Sequence, residues 1–167
     1  MAMIKVSIRH LEKSDARSVL GLATRLDKWF NEPGRAQMAR DLGSHEGLVA
    51  HADGRLVGFV TWNPIDGETA NLSWMGVEEE LRRSGIGRTL LAAMFPRLRH
   101  AGFRVLEVST VADSLDYPPY ADTRAFYRAM GFVDVRVDEG FYGDASDRYD
   151  RLVLRKVLGP EAQGPNP

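Results

Sequence analysis

One junction constrains this chain more than any other stretch. Residues Thr69 to Val77 read as a strand, and Ile86, Leu90, Leu91, Met94 and Leu98 recur at helical spacing over about 85–100. Between them lies Arg82-Arg83-Ser84-Gly85-Ile86-Gly87-Arg88. A strand that turns through glycines into a helix, with a further strand at 103–110, implies a right-handed crossover and a locally parallel pair. The two glycines allow a tight turn and leave backbone N–H groups clear of side chains. The first turn of the helix adds unpaired N–H donors and the positive end of its dipole. With three arginines nearby, the turn is suited to a phosphate-bearing ligand. Pro96 lies inside the helical stretch and predicts a kink or an early end.

The elements on either side complete an α/β pattern. Residues 4–10 alternate as a short strand, and Ser14 is placed to cap a helix over about 15–28, with Ala16, Val19, Leu20, Ala23 and Leu26 on one face. A second helix is predicted at 33–42, ended by Gly43 as a glycine just past the last turn. Strands at 48–52 and 56–62 flank Asp53-Gly54, a strong hairpin turn, and the strand ending at Val77 completes an antiparallel meander. Beyond 110, residues 111–120 read as a proline-rich loop, 121–130 as a helix ended by Gly131, and 132–138 and 149–157 as strands. The reading is a single domain over 4–157, with a mixed, mostly antiparallel sheet of six to seven strands and helices on both faces. The polar, breaker-rich tail at 158–167 is expected to be disordered.

Composition removes several chemistries. The chain has no cysteine, which excludes thiol nucleophiles, disulfides and thiolate metal sites. Its four histidines lack the helical spacing that pairs metal ligands, so no metal is expected. A net charge of −1 argues against a whole-surface grip on nucleic acid or anionic lipid. No apolar run reaches the ~18 residues of a membrane span and the first residues carry no apolar signal core, so a soluble, cytoplasmic protein is expected, with neither nucleic acid nor membrane as partner.

Three phosphate-binding templates can be laid on the turn. The P-loop string GxxxxGK[ST] is absent, and the dinucleotide fingerprint GxGxxG lacks its third glycine, where Leu90 stands. Arg82, Gly85 and Gly87 meet the third, [QR]xxGx[GA], in full. Here the chain resembles the GNAT superfamily of N-acetyltransferases. The stretch LSWMGVEEELRRSGIGRTLLAAM (72–94) looks like the family's acyl-CoA-binding segment, and TRAFYRAMGFVDV (123–135) like the segment that bears its catalytic tyrosine.

The resemblance implies acetyl-CoA as co-substrate, a GNAT fold, and a V-shaped opening where the strand ending at Val77 splays from the strand at 103–110. Backbone groups of Met75, Gly76 and Val77 would pair with the pantetheine arm as an added strand would, and the Met75 N–H would serve the thioester oxyanion. Arg82, Arg83, Ser84, Gly85, Ile86, Gly87, Arg88 and Thr89 would hold the pyrophosphate, and Arg124 would partly replace a contact this chain lacks, because Tyr120 and Thr123 stand where the family often has Asn and Ala. Tyr127 would protonate the departing thiolate.

The acceptor's ammonium must lose its proton as well. For an amine of pKa about 9.5 near pH ~7.5, only about 1% is free base, a deficit of about 2.7 kcal/mol. Where many relatives place a glutamate, this chain has Asn71, which cannot act as a base; Glu68, Asp113 and Asp116 stand nearby in sequence, and none is assigned. Trp29, Phe30, Glu32, Asn71, Asp116 and Tyr142 are the candidate acceptor residues, acidic groups with aromatic faces that suit a cationic amine. The expected acceptor is a small-molecule amine such as an amino acid or a polyamine-like compound. A protein N-terminus or lysine is the alternative, and a non-catalytic CoA-binding module the competing class. Relatives often dimerise, which makes a homodimer a further expectation.

Overall fold

The computed structural model describes residues 4–160, so the expected disordered tail lies, from 161 onward, outside the described residues. The described residues form two compact units, one of the residues up to Asn63 with Leu72–Arg97, the other of Pro64–Asn71 with the residues from Leu98 onward. The fold class is α/β, with a seven-stranded, mostly antiparallel sheet and helices, as the sequence predicts.

The first unit opens with β1 (Val6–His10), α1 (Ala16–Arg25), α2 (Glu32–Asp41), β2 (Glu46–Ala52) and β3 (Arg55–Pro64). It continues through most of β4 (Thr69–Val77) into α3 (Ile86–His100), with strand order β1-β2-β3-β4. The β2–β3 turn is built on Asp53 and Gly54 with φ of 51° and 76°, both left-handed, the conformation that joins two strands most tightly. A register shift opposite Ala50 and His51 bulges β3 between Leu56 and Gly58. Phe59 joins Val49, Leu56 and the apolar sides of α1 (Val19, Leu22, Ala23) and α2 (Met38) in one core, with Leu26 and Leu42 just beyond those helices. Gly58 points the other way, where a Cβ would sit 3.2 Å from both Ile86 and Leu90 of α3. Helices thus cover both faces of this unit's strands.

Several local expectations are corrected. Ser14 does not cap α1; a single 3₁₀ turn at Lys13–Asp15 leads into the helix, and the Asp15 carboxylate accepts the Glu12 N–H at 2.8 Å and pairs with Arg9 at 2.7 Å. Asn31 caps α2 by accepting the Gly34 N–H at 2.8 Å, and Gly43 is not among the left-handed glycines. Helix α3 runs through Pro96 to His100 rather than ending at it.

The second unit holds β5 (Val105–Val111), α4 (Pro118–Ala129), β6 (Val133–Asp144) and β7 (Asp147–Val157), in the order β5-β7-β6. Helix α4 begins at Pro118, inside the predicted loop, because Pro118 and Pro119 occupy the first helical positions, which need no N–H donor and favour proline's fixed φ. Strands β6 and β7 extend the predicted pair into a long antiparallel hairpin, interrupted between Asp138 and Tyr142 and closed by Asp144↔Asp147. Leu158, within the expected tail, is buried and donates its N–H to the Arg104 carbonyl at 2.8 Å. Among the described residues no helix is long and apolar enough to cross a membrane, and no three His, Asp or Glu side chains gather as metal ligands would.

Candidate active site

Strand β4 ends at Val77, and Glu78 hydrogen-bonds back to the Val57 carbonyl at 2.8 Å before a 3₁₀ turn at Glu79–Leu81 leads into the glycine turn. Arg83 at φ 68° and Gly85 at φ 90° are both left-handed and bend the chain sharply into α3. The first helical bond runs from the Thr89 N–H to the Gly85 carbonyl at 2.9 Å. The N–H groups of Gly85, Ile86, Gly87 and Arg88 therefore precede the helix's own ladder and point out of its N-terminus. Among the described residues nothing beyond its chain neighbours lies within 4 Å of where a Cβ on Gly85 would be. The cradle is open, and its need for glycine is conformational rather than steric.

Not every predicted donor faces the cradle. The Ser84 N–H goes to the Leu81 carbonyl at 3.2 Å and its hydroxyl to the same oxygen, while the Thr89 hydroxyl donates to Gly85 at 2.8 Å. Arg83 and Arg88 are exposed. The Arg82 guanidinium lies 4.3 Å from the centroid of the Trp29 ring, an expected acceptor residue that here serves as a cation–π shelf. Phe30 meets Trp74 edge to face at 6.1 Å, and Glu32 is exposed in the first turn of α2. Met75 and Val77 are partly exposed, and Gly76 is buried. A Cβ on Gly76 would lie 2.8 Å from Phe59 and 2.9 Å from Leu26. Packing alone accounts for that glycine.

In the second unit, Tyr127 is 6% exposed on α4, with Phe126 and Phe132 rings at 5.5 and 5.4 Å. Its hydroxyl makes no hydrogen bond among the described residues. Burial pushes the phenol up from its ordinary value, so it is protonated across the neutral range and its donor is unspent. Arg124 turns inward and donates to the Val111 carbonyl at 2.7 Å. Asn71 is half-buried on β4 and Asp116 is exposed ahead of α4. Tyr142 lies on β6 between Phe141 and Tyr149, with ring centroids 5.2 and 5.5 Å away, its phenol pushed up to about 12 by burial.

Two groupings escaped the sequence reading. Glu78 is 4% exposed and takes a two-pronged contact from Arg25 (Nε 3.1 Å, Nη2 2.9 Å), which holds its carboxyl below the usual range. Asp41, His45, Thr61 and Ser73 form a chain of polar contacts beside Trp74. The available signal was the four-residue spacing of Asp41 and His45 at a helix end, together with a serine set among apolar residues of β4.

Residues 43–134 match the acetyltransferase (GNAT) domain family, a span that runs from β2 through the glycine turn and Tyr127 to the start of β6. Over 112 residues the chain is 32% identical to the mycothiol acetyltransferase of Clavibacter sepedonicus, covering 67% of this chain and 31% of that protein. The chain thus spans about a third of that relative's length. The ribosomal-protein-S18-alanine N-acetyltransferase of Escherichia coli superposes with a TM-score of 0.76 at 20% identity, covering 97% of this chain and 98% of that one. A putative acetyltransferase from Salmonella typhimurium, solved with acetyl-CoA, does so with a TM-score of 0.73 at 14% identity over 96% and 98%. At such identities these two speak for the fold. The matched segment contains both the open amide turn ahead of α3 and the buried tyrosine of α4, and by that match the chain belongs to the GNAT acetyltransferase family.

Proposed function

We propose that residues 4–157 act as one domain that transfers an acetyl group from acetyl-CoA to the nitrogen of a small-molecule primary amine. The observation that carries this reading is the turn at Gly85–Arg88, whose amides are unpaired among the described residues. These N–H groups, with the exposed Arg83 and Arg88 and with Arg82 drawn from its shelf, fit a diphosphate in charge and donor type. Backbone groups of Met75 and Val77 would hold the pantetheine arm, and the Met75 N–H would receive the thioester oxygen as it gains charge. Tyr127, protonated and with no hydrogen bond to its hydroxyl among the described residues, would supply the proton to the leaving sulfur. That unspent phenol argues against a module that merely binds CoA. The relative named for mycothiol, at 32% identity, favours a small acceptor over a protein one.

The test is a calorimetric titration with CoA, followed by free-thiol release from acetyl-CoA with primary amines. Wild-type protein should bind, and Gly85→Val should weaken binding by about 10- to 100-fold, since a β-branched residue cannot hold a φ of 90° and the amides lose their aim. A wild-type protein indifferent to CoA overturns the reading.

A further inference from the structure

Chemistry at the acceptor nitrogen needs a proton acceptor, and Asn71, a candidate acceptor residue on β4, cannot act as one. We propose that Ser73, backed by His45 and Asp41, takes the proton from the acceptor's ammonium. This rests on the acetyl-transfer reading.

Placement comes first. Thr61 lies two residues beyond Phe59 on β3 and so shares its face, the one covered by α1 and α2. Ser73 Oγ is 2.7 Å from Thr61 Oγ1 and 2.9 Å from His45 Nδ1. His45 Nε2 is 3.8 Å from Asp41 Oδ1, and the His45 N–H donates to the Asp41 carbonyl at 2.8 Å. Asp41 is itself fixed by Trp74 Nε1–H at 2.8 Å and by Gln37 at 2.9 Å. Trp74 also packs against Phe30, so the group borders the segment between α1 and α2 expected to line the acceptor site.

Donor accounting then assigns the protons. Thr61 is 1% exposed and must spend its hydroxyl hydrogen; Ser73 at 2.7 Å is the better acceptor, because the Trp74 carbonyl is 3.5 Å away. Ser73 in turn donates to His45 Nδ1, which puts the ring's own proton on Nε2, facing Asp41. A hydroxyl has one hydrogen and two lone pairs, so Ser73 keeps one lone pair free, the complement of an ammonium N–H. Asp41, from α2, is the one charged group within ion-pair distance of the ring among the described residues.

The step balances. An ammonium proton passes to Ser73 Oγ as the serine's own proton passes to His45 Nδ1, leaving a neutral amine and an imidazolium beside Asp41. The amine nitrogen then forms its bond to the carbonyl carbon, the C–S bond breaks, and the sulfur takes a proton from Tyr127. The nitrogen's second proton leaves on collapse and restores that phenol, and His45 returns its proton to water. Ser73 touches the substrate; His45 and Asp41 are positioning residues that act through it.

The experiment measures kcat/KM by thiol release between pH 6 and 10, with acetyl-CoA and whichever of putrescine, spermidine or glycinamide reacts fastest. His45→Gln should lose about 100-fold near neutrality, and the loss should close as pH rises toward the amine's own pKa, where free base is abundant. Ser73→Ala should behave alike and Ser73→Thr, which keeps a hydroxyl, should recover about tenfold over the alanine variant; this pair decides the matter if His45→Gln does not fold. CoA affinity should be unchanged throughout. A defect that is constant with pH, no defect, or a threonine variant as poor as the alanine one overturns the inference while leaving acetyl transfer standing. A wild-type protein that releases no thiol to any amine sinks both.

Discussion

Tyr127 shows what one residue's surroundings add to its identity. Its place in the FY string of 123–135 was visible in the sequence, but its burial among Phe126 and Phe132 and its unspent donor were not. Tyr127→Phe removes one oxygen and keeps the ring that packs on Phe126 and Phe132, so the fold and CoA affinity should hold while kcat falls about 100-fold. Equal turnover by the phenylalanine variant, measured by thiol release at saturating acetyl-CoA, would remove Tyr127 from the chemistry. Other residues were legible as types but not as contacts. Arg82 was read as a phosphate ligand and rests on Trp29; Arg124 was read as a cofactor contact and donates to Val111. Cation–π shelves and buried guanidinium bonds join residues far apart in the chain, and no local pattern announces them.

At the level of elements, punctuation that acts locally was readable and punctuation that depends on neighbours was not. Asp53-Gly54 forms its turn from its own φ preferences, and the apolar face of α3 follows from spacing alone. Pro96 was expected to kink the helix or end it early, yet α3 passes through it to His100; Pro118 and Pro119 were taken as loop and start a helix. The same residue ends or begins a helix according to whether its missing N–H was needed. Strand β4 shows the tertiary contribution. Gly76 lets it settle onto Phe59 of β3 and onto Leu26 after α1, so Gly76→Ala must move a ring or a backbone segment. That variant should lose about 1–3 kcal/mol of stability, read as a lower midpoint in denaturant without a change in slope. An unshifted midpoint would mean that the core has room which the geometry denies.

For the molecule as a whole, arginine–carboxylate pairs set the response to acid. Asp15, Glu78, Asp134 and Asp138 are each held below their ordinary pKa, chiefly by hydrogen bonds from Arg9, Arg25, Arg128 and Arg151. A carboxylate depressed in the folded state stabilises it above the unfolded pKa, and that contribution is lost as pH falls through the folded value. Melting temperature should therefore be steady from pH ~7 to ~5 and drop below about pH 4. Glu78→Gln should cost about 1 kcal/mol at neutral pH, modest because Arg25 is 53% exposed, and its gap from wild type should narrow below about pH 4.5. A gap unchanged in acid would show that the pair contributes packing rather than charge.

The stacking of Arg82 on Trp29 ties the segment after α1 to the turn before α3. Should a diphosphate draw the guanidinium away, as the proposed function has it, that cation leaves the Trp29 ring. Were Trp29 also to meet the acceptor, each substrate would alter the affinity for the other, and thermodynamic reciprocity requires the influence to run equally in both directions. Under the proposed function, that coupling would pass through a single ring.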